Sequence, residues 1–124
     1  MTLEFMAIEF SIEDRRVGDA HVVSVKGEID LFTAPDFKQR VSAPIDAGVP
    51  KVVVDLSETT FIDSSSLGVL IGAHRRLKLH GGSLAIVCGN ESIAKTFRIT
   101  GLDGVFTLTG SLEDALDGDA VGTG

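Results

Sequence analysis

Two short, unbroken apolar runs do most to constrain what this chain can fold into: KVVVDL at 51–56 and SLAIVCG at 83–89. A strand that reads as a continuous run, without alternation, is apolar on both faces and belongs inside a sheet covered on both sides. Around these runs the period changes. Ile8, Phe10 and Ile12 recur at period two, HVVSVKG at 21–27 reads as a second strand, and Gly18-Asp19 turns the chain between them. Phe37, Val41 and Ile45 fall on one helical face behind a start at Thr33, with Pro35 in the first turn and Asp36 three residues on. Pro44 is expected to kink or end that helix early. A second helix spans about Ser65 to His80 and closes on Gly81-Gly82. Asn90 caps a third carrying Ile93 and Phe97, which Gly101-Leu102 stops. Val105 to Leu108 makes a last short strand, and Ser111, with Asp114 three residues on, opens a final amphipathic turn or two. The order β-β-α-β-α-β-α-β-α predicts an α/β fold: a mixed, mostly parallel sheet with helices packed against it, to which the first hairpin adds an antiparallel strand.

The chain's 124 residues suit one domain, and at that size no disulfide or metal staple is needed. The expected limits are 6–116, with residues 1–5 a possible leader ahead of Met6 and 117–124 a frayed, Gly- and Asp-rich tail. A net charge of −7 disfavours direct nucleic-acid or anionic-membrane binding, both of which need basic surface. Trp and Tyr are absent, so base stacking would fall to the seven Phe, most of them at core-like positions. The one cysteine, Cys88, cannot form an intrachain disulfide, which fits a reducing cytoplasm. No apolar run approaches the ~20 residues that span a bilayer.

Chemistry concentrates in DLSETTFIDSSSLGVLIGAHRRLKLHGG, 55–82, which runs from a buried strand into three serines at a helix start. At about 100° per residue, Leu67, Leu70, Ile71, His74 and Leu77 gather on a core face, while Val69, Ala73 and Arg76 lie opposite, beside Gly68 and Gly72. A small, partly apolar outer face suits docking by a partner, although single exposed apolar residues are common. Asp63 or Ser64 can cap the helix, and capping is the ordinary role of serines there. A serine-hydrolase elbow needs G-x-S-x-G, which none of Ser64, Ser65 and Ser66 satisfies. His74 reads as a packed imidazole and not as a general base. His21, His80 and Cys88 have no metal-ligand spacing, and no metal or cofactor is expected. Glu28 and Asp30 could form an acid–base pair, but turn or cap service is their simpler use. Neither the Rossmann fingerprint nor the P-loop motif is present.

The chain resembles the STAS-domain anti-sigma-factor antagonists of bacteria. Three segments carry the resemblance, in order: GEIDLFTAPDFKQRV (27–41), VVVDLSETTFIDSSSLGVLIGAHRRLKLHGGSLAIV (52–87) and GLDGVFTLTGSLEDAL (101–116). The resemblance implies a STAS fold and a cytoplasmic binding protein, not an enzyme. Its partner would be an anti-sigma factor that is also a serine kinase. The unphosphorylated antagonist holds that partner and frees a sigma factor; phosphorylation releases it, and a serine phosphatase resets the switch. The register of the family's D-S-[ST]-G-L-G motif puts the phosphate on Ser65, with Ser64 and Ser66 as alternatives, and Ser66 stands where the family has Gly. The implied partner-binding residues are Asp30, Thr33, Asp63, Ser64, Ser66, Gly68, Val69, Gly72, Ala73 and Arg76. The alternative within the same fold is a STAS-type scaffold in a stress-signalling or transporter assembly, without a sigma factor.

Overall fold

The structure is a computed structural model that describes residues 10–123, with side chains described through residue 117. Five strands form one sheet in sequence order: β1 (Ser11–Val17), β2 (Ala20–Ile29), β3 (Lys51–Ile62), β4 (Ser83–Val87) and β5 (Thr107–Thr109). β1 pairs antiparallel with β2, and every later neighbour is parallel. Helices α1 (Ala34–Asp46), α2 (Ser64–Leu79) and α3 (Glu91–Ile99) make the three crossovers, and α4 (Leu112–Thr123) follows β5. The predicted α/β class and element order are both met.

Strand order explains the layering. Each right-handed crossover steps one strand in the same direction, so α1, α2 and α3 all land on one face. There Phe37, Val41, Leu70 and Phe97 pack on Val23, Val25, Val54, Leu56 and Ile86 in the larger core. The opposite face is left to α4, where Ala115, Leu112 and Leu116 meet Ala20, Val22, Val53, Ala85 and Val87. This two-sided cover is why KVVVDL carries no alternation. Beyond the reach of α4 that face turns polar, at Ser24, Lys26, Asp55 and Glu58, and stays open.

Three local expectations change. β3 runs six residues past KVVVDL, to Ile62, because its outer half pairs with Lys26 to Ile29 of β2 across two register shifts. Gly27 sits between those shifts at φ 97°, a bulge conformation that needs glycine, and it redirects the end of β2. Pro44 does not end α1, which continues to Asp46; so near the C-terminus the missing N–H deprives only Arg40 of its bond. The backbone of α4 is helical through Thr123, past Asp117, where the sequence predicts fraying. The possible leader at 1–5 lies outside the described residues. Ser111 does open α4, its Oγ accepting from Asp114 N–H at 3.1 Å.

Candidate functional site: the start of α2 and the β2–α1 turn

Parallel strands deliver their loops to one end of the sheet, and there β2 and β3 bring two polar turns side by side. At the first, Asp30 Oδ1 accepts from Phe32 N–H at 2.9 Å and Thr33 N–H at 3.1 Å. Thr33 Oγ1 accepts from Asp30 N–H at 2.9 Å and lies 3.0 Å from the Glu28 carbonyl, to which it donates. Asp30 and Thr33 thus brace one another and lock the turn into α1.

At the second, Asp63 is the N-cap of α2 and half of a capping box with Ser66. Its Oδ1 accepts from Ser66 N–H at 3.1 Å and from the Ser65 hydroxyl at 2.7 Å. The Ser65 hydroxyl foremost holds the Asp63 carboxyl below the usual carboxylate range; desolvation opposes this, and the Ser66 N–H and hydroxyl reinforce it. The Ser66 hydroxyl has one proton and two acceptors in reach, the Ile29 carbonyl at 2.8 Å and Asp63 Oδ1 at 3.1 Å. Its shorter bond crosses to β2 and ties the start of α2 to the residue before Asp30.

These bonds sort the three serines. Ser66 is fully buried and Ser65 is half-buried with its hydroxyl engaged. Ser64 is exposed, on the first helical residue. Ser66 is therefore corrected from a surface and acceptor candidate to an internal clamp. Ala73 is corrected as well: it is 5 % exposed, because the buried stripe runs through Ser66, Leu70, Ala73 and Leu77, with Leu67 at its edge. The pattern of large apolar residues alone turns the face toward Ile71 and His74, which are half-buried. The small size of Ala73 and Ser66 is what lets α2 sit close to the sheet. Gly68 is exposed, Val69 and Gly72 are half-buried, and Arg76 is exposed and paired with Asp46 of α1. A Cβ added at Gly68 or Gly72 would meet nothing within 4 Å. Among the described residues, no contact calls for glycine at either place.

The remaining candidates have structural roles. The His74 ring packs edge-on against Phe106, with centroids 5.5 Å apart, and His21 hydrogen-bonds Asp14 at 3.0 Å. Burial pushes the Cys88 thiol up to about 11, which suits a packed side chain better than a nucleophile. Gly89, just after it, is required because a Cβ there would lie 2.7 Å from Ser57 Cα. Sequence reasoning missed the exposure of Leu31, Phe32 and Phe61 at this end of the sheet. The signal was two large apolar residues placed directly after the GEID strand exit, in a turn.

The sheet, its one-sided crossovers and the capped serine helix define a class. Residues 11–115 match the STAS domain family, and the chain belongs to it. It is 30% identical over 91 residues to the anti-sigma-B factor antagonist of Bacillus subtilis (strain 168), covering 73% of this chain and 83% of that protein. The crystal structure of an anti-sigma factor antagonist from Mycobacterium paratuberculosis matches with a TM-score of 0.83 at 32% identity, over 89% of this chain and 93% of that one. The Bacillus cell fate determinant SpoIIAA in its phosphorylated form shares the fold at a TM-score of 0.67 and 23% identity, over 88% of this chain and 97% of that one.

Proposed function

We propose that this chain is an anti-sigma-factor antagonist: a cytoplasmic binding protein that engages an anti-sigma factor with serine-kinase activity, frees a sigma factor, and is switched off by phosphorylation at the start of α2. The observation that carries this reading is the exposed Ser64 at a helix N-terminus, beside an outer helix face made small by Gly68 and Gly72. It is supported by relatives named as anti-sigma factor antagonists. The docking surface comprises Ser64, Gly68, Val69, Gly72 and Arg76 of α2 with Asp30 and Thr33 of the neighbouring turn; Asp63 caps α2, and the Ser66 bond to Ile29 ties the two turns together.

The acceptor is Ser64 ahead of Ser65, the position that the family register implies. A phosphoryl group on Ser65 would replace the proton donor 2.7 Å from Asp63 Oδ1 with a dianion, breaking the bond and setting like charges together. In the transfer, the Ser64 Oγ–P bond forms as the bond to the γ-phosphorus of ATP breaks. ADP leaves, and the serine proton passes to a base on the kinase. The product then carries about −1.5 to −2 charges on the docking surface, where the free hydroxyl carried none. The helix N-terminus tolerates that anion while the interface does not. A serine phosphatase restores the hydroxyl.

The test is to incubate the chain with the purified anti-sigma kinase of its own host and ATP, then map the phosphopeptide spanning Ser64 to Ser66. Modified Ser64 with loss of kinase binding supports the reading. A chain that takes up no phosphate and binds the kinase no better than a control protein defeats it.

A further inference from the structure

The largest exposed apolar residues near the switch are not explained by the fold. Phe32 is 90 % exposed, Leu31 72 % and Phe61 47 %. Leaving Leu and Phe in water at one end of a sheet forgoes the stability that their burial would supply. Phe61 pairs with Glu28 and Ile62 with Ile29 across β2 and β3, so Phe61 and the Leu31-Phe32 turn flank the place where Ser66 grips Ile29. The turn is braced, since the N–H of Phe32 is held by Asp30 and Asp30 by Thr33. An anchor held this way loses little freedom on binding. Glu28, Asp30, Asp36 and Asp63 lie here, while no Lys or Arg occurs from Gly27 to Phe37 or from Thr59 to His74. The charged residues within these two segments are of one sign, with Lys26 and Lys38 bordering the first. Two copies of this acidic end would repel each other, whereas a basic rim would complement it.

We propose that Leu31, Phe32 and Phe61 are the apolar anchor of the partner-binding surface, and that the partner offers an apolar pocket rimmed by Lys and Arg. This rests on the reading above for the partner's identity as the kinase. It divides the surface into an anchor that supplies affinity and a serine that supplies control.

The test places a photo-crosslinking phenylalanine analogue at position 32 of the full chain in its own host, with the same analogue at Val17, in the β1–β2 hairpin, as control. The captured protein is identified, purified and titrated against wild type, Phe32→Ser, Leu31→Ser and Ser64→Ala at low and high salt. Position 32 should capture the kinase and position 17 should not. Phe32→Ser should raise Kd about 30-fold or more, as loss of an aromatic hot spot does, at an unchanged melting temperature. Leu31→Ser should act in the same direction, and salt should weaken the wild-type complex. Capture of nothing, or only of a second copy of this chain, overturns the proposal, as does an unchanged Kd for both Ser variants or a salt-insensitive complex. If position 32 captures a basic-rimmed protein that is no kinase, the proposed function fails and the anchor stands. If the kinase phosphorylates wild type and Phe32→Ser with the same KM, the anchor fails and the proposed function stands.

Discussion

At the scale of single residues, three adjacent serines with one chemistry have three different environments, and those environments decide what each can do. Ser64→Ala should abolish phosphate uptake, while Ser65→Ala should retain it; phosphopeptide mapping after reaction with the kinase reads both outcomes. Ser64→Asp, with one charge instead of about two, should weaken partner binding by about 1–3 kcal/mol, measured by calorimetry. Asp63 has its own signature. Its carboxyl titrates below the usual range in the folded chain, so its stabilising effect is complete above the unfolded pKa near 3.9 and is lost as pH falls through the lower, folded value. Asn can still accept the capping bond, which makes Asp63→Asn a probe of the charge. The melting-temperature advantage of wild type over Asp63→Asn should be constant near neutrality and shrink below about pH 4. An advantage that grew on acidification would contradict the assigned direction.

At the scale of elements, α2 shows where sequence reading succeeds and where it stops. The strands at 51–56 and 83–89, the Asn90 cap and the Ser111 cap were all legible, because each is fixed by residues within a few positions of itself. The buried face of α2 was legible only in part. Its orientation depends on Ser66 reaching a carbonyl 37 residues away in sequence, which no local pattern encodes. The extension of β3 was hidden for the same reason, since the bulge that permits it sits in β2. The site was legible as a motif; which serine faces water was not. Gly68 gives the element-scale prediction. A helical glycine costs ~1 kcal/mol relative to alanine, and space is open around this one. Gly68→Ala should therefore raise unfolding free energy by about 0.5–1 kcal/mol in urea while weakening kinase binding, because the added methyl stands on the proposed docking face. A variant that is more stable and binds equally well would remove Gly68 from the interface.

At the scale of the whole molecule, the two faces of the sheet are unequal. Three helices share a core containing Phe37, Leu56, Leu70 and Phe97, whereas α4 rests on alanines, valines and two half-buried leucines. Regions with fewer buried apolar contacts open at lower free energy. Amide hydrogen exchange should show α4 opening well below the global unfolding free energy, while the central amides of β2 and β3 exchange only by global unfolding. Equal protection in α4 and β3 would mean that the smaller core is as binding as the larger. The sequence-ordered sheet also bears on how the chain is made. β1 precedes β2, which precedes β3, so each new strand leaving a ribosome finds its neighbour already synthesised and joins it across one crossover of modest length. No strand has to stay unpaired while a distant partner is translated, so loop closure is brought about in small instalments and sticky edges are covered early. Helix α4 follows all five strands in the sequence, so it closes the second face only after the strands beneath it are complete.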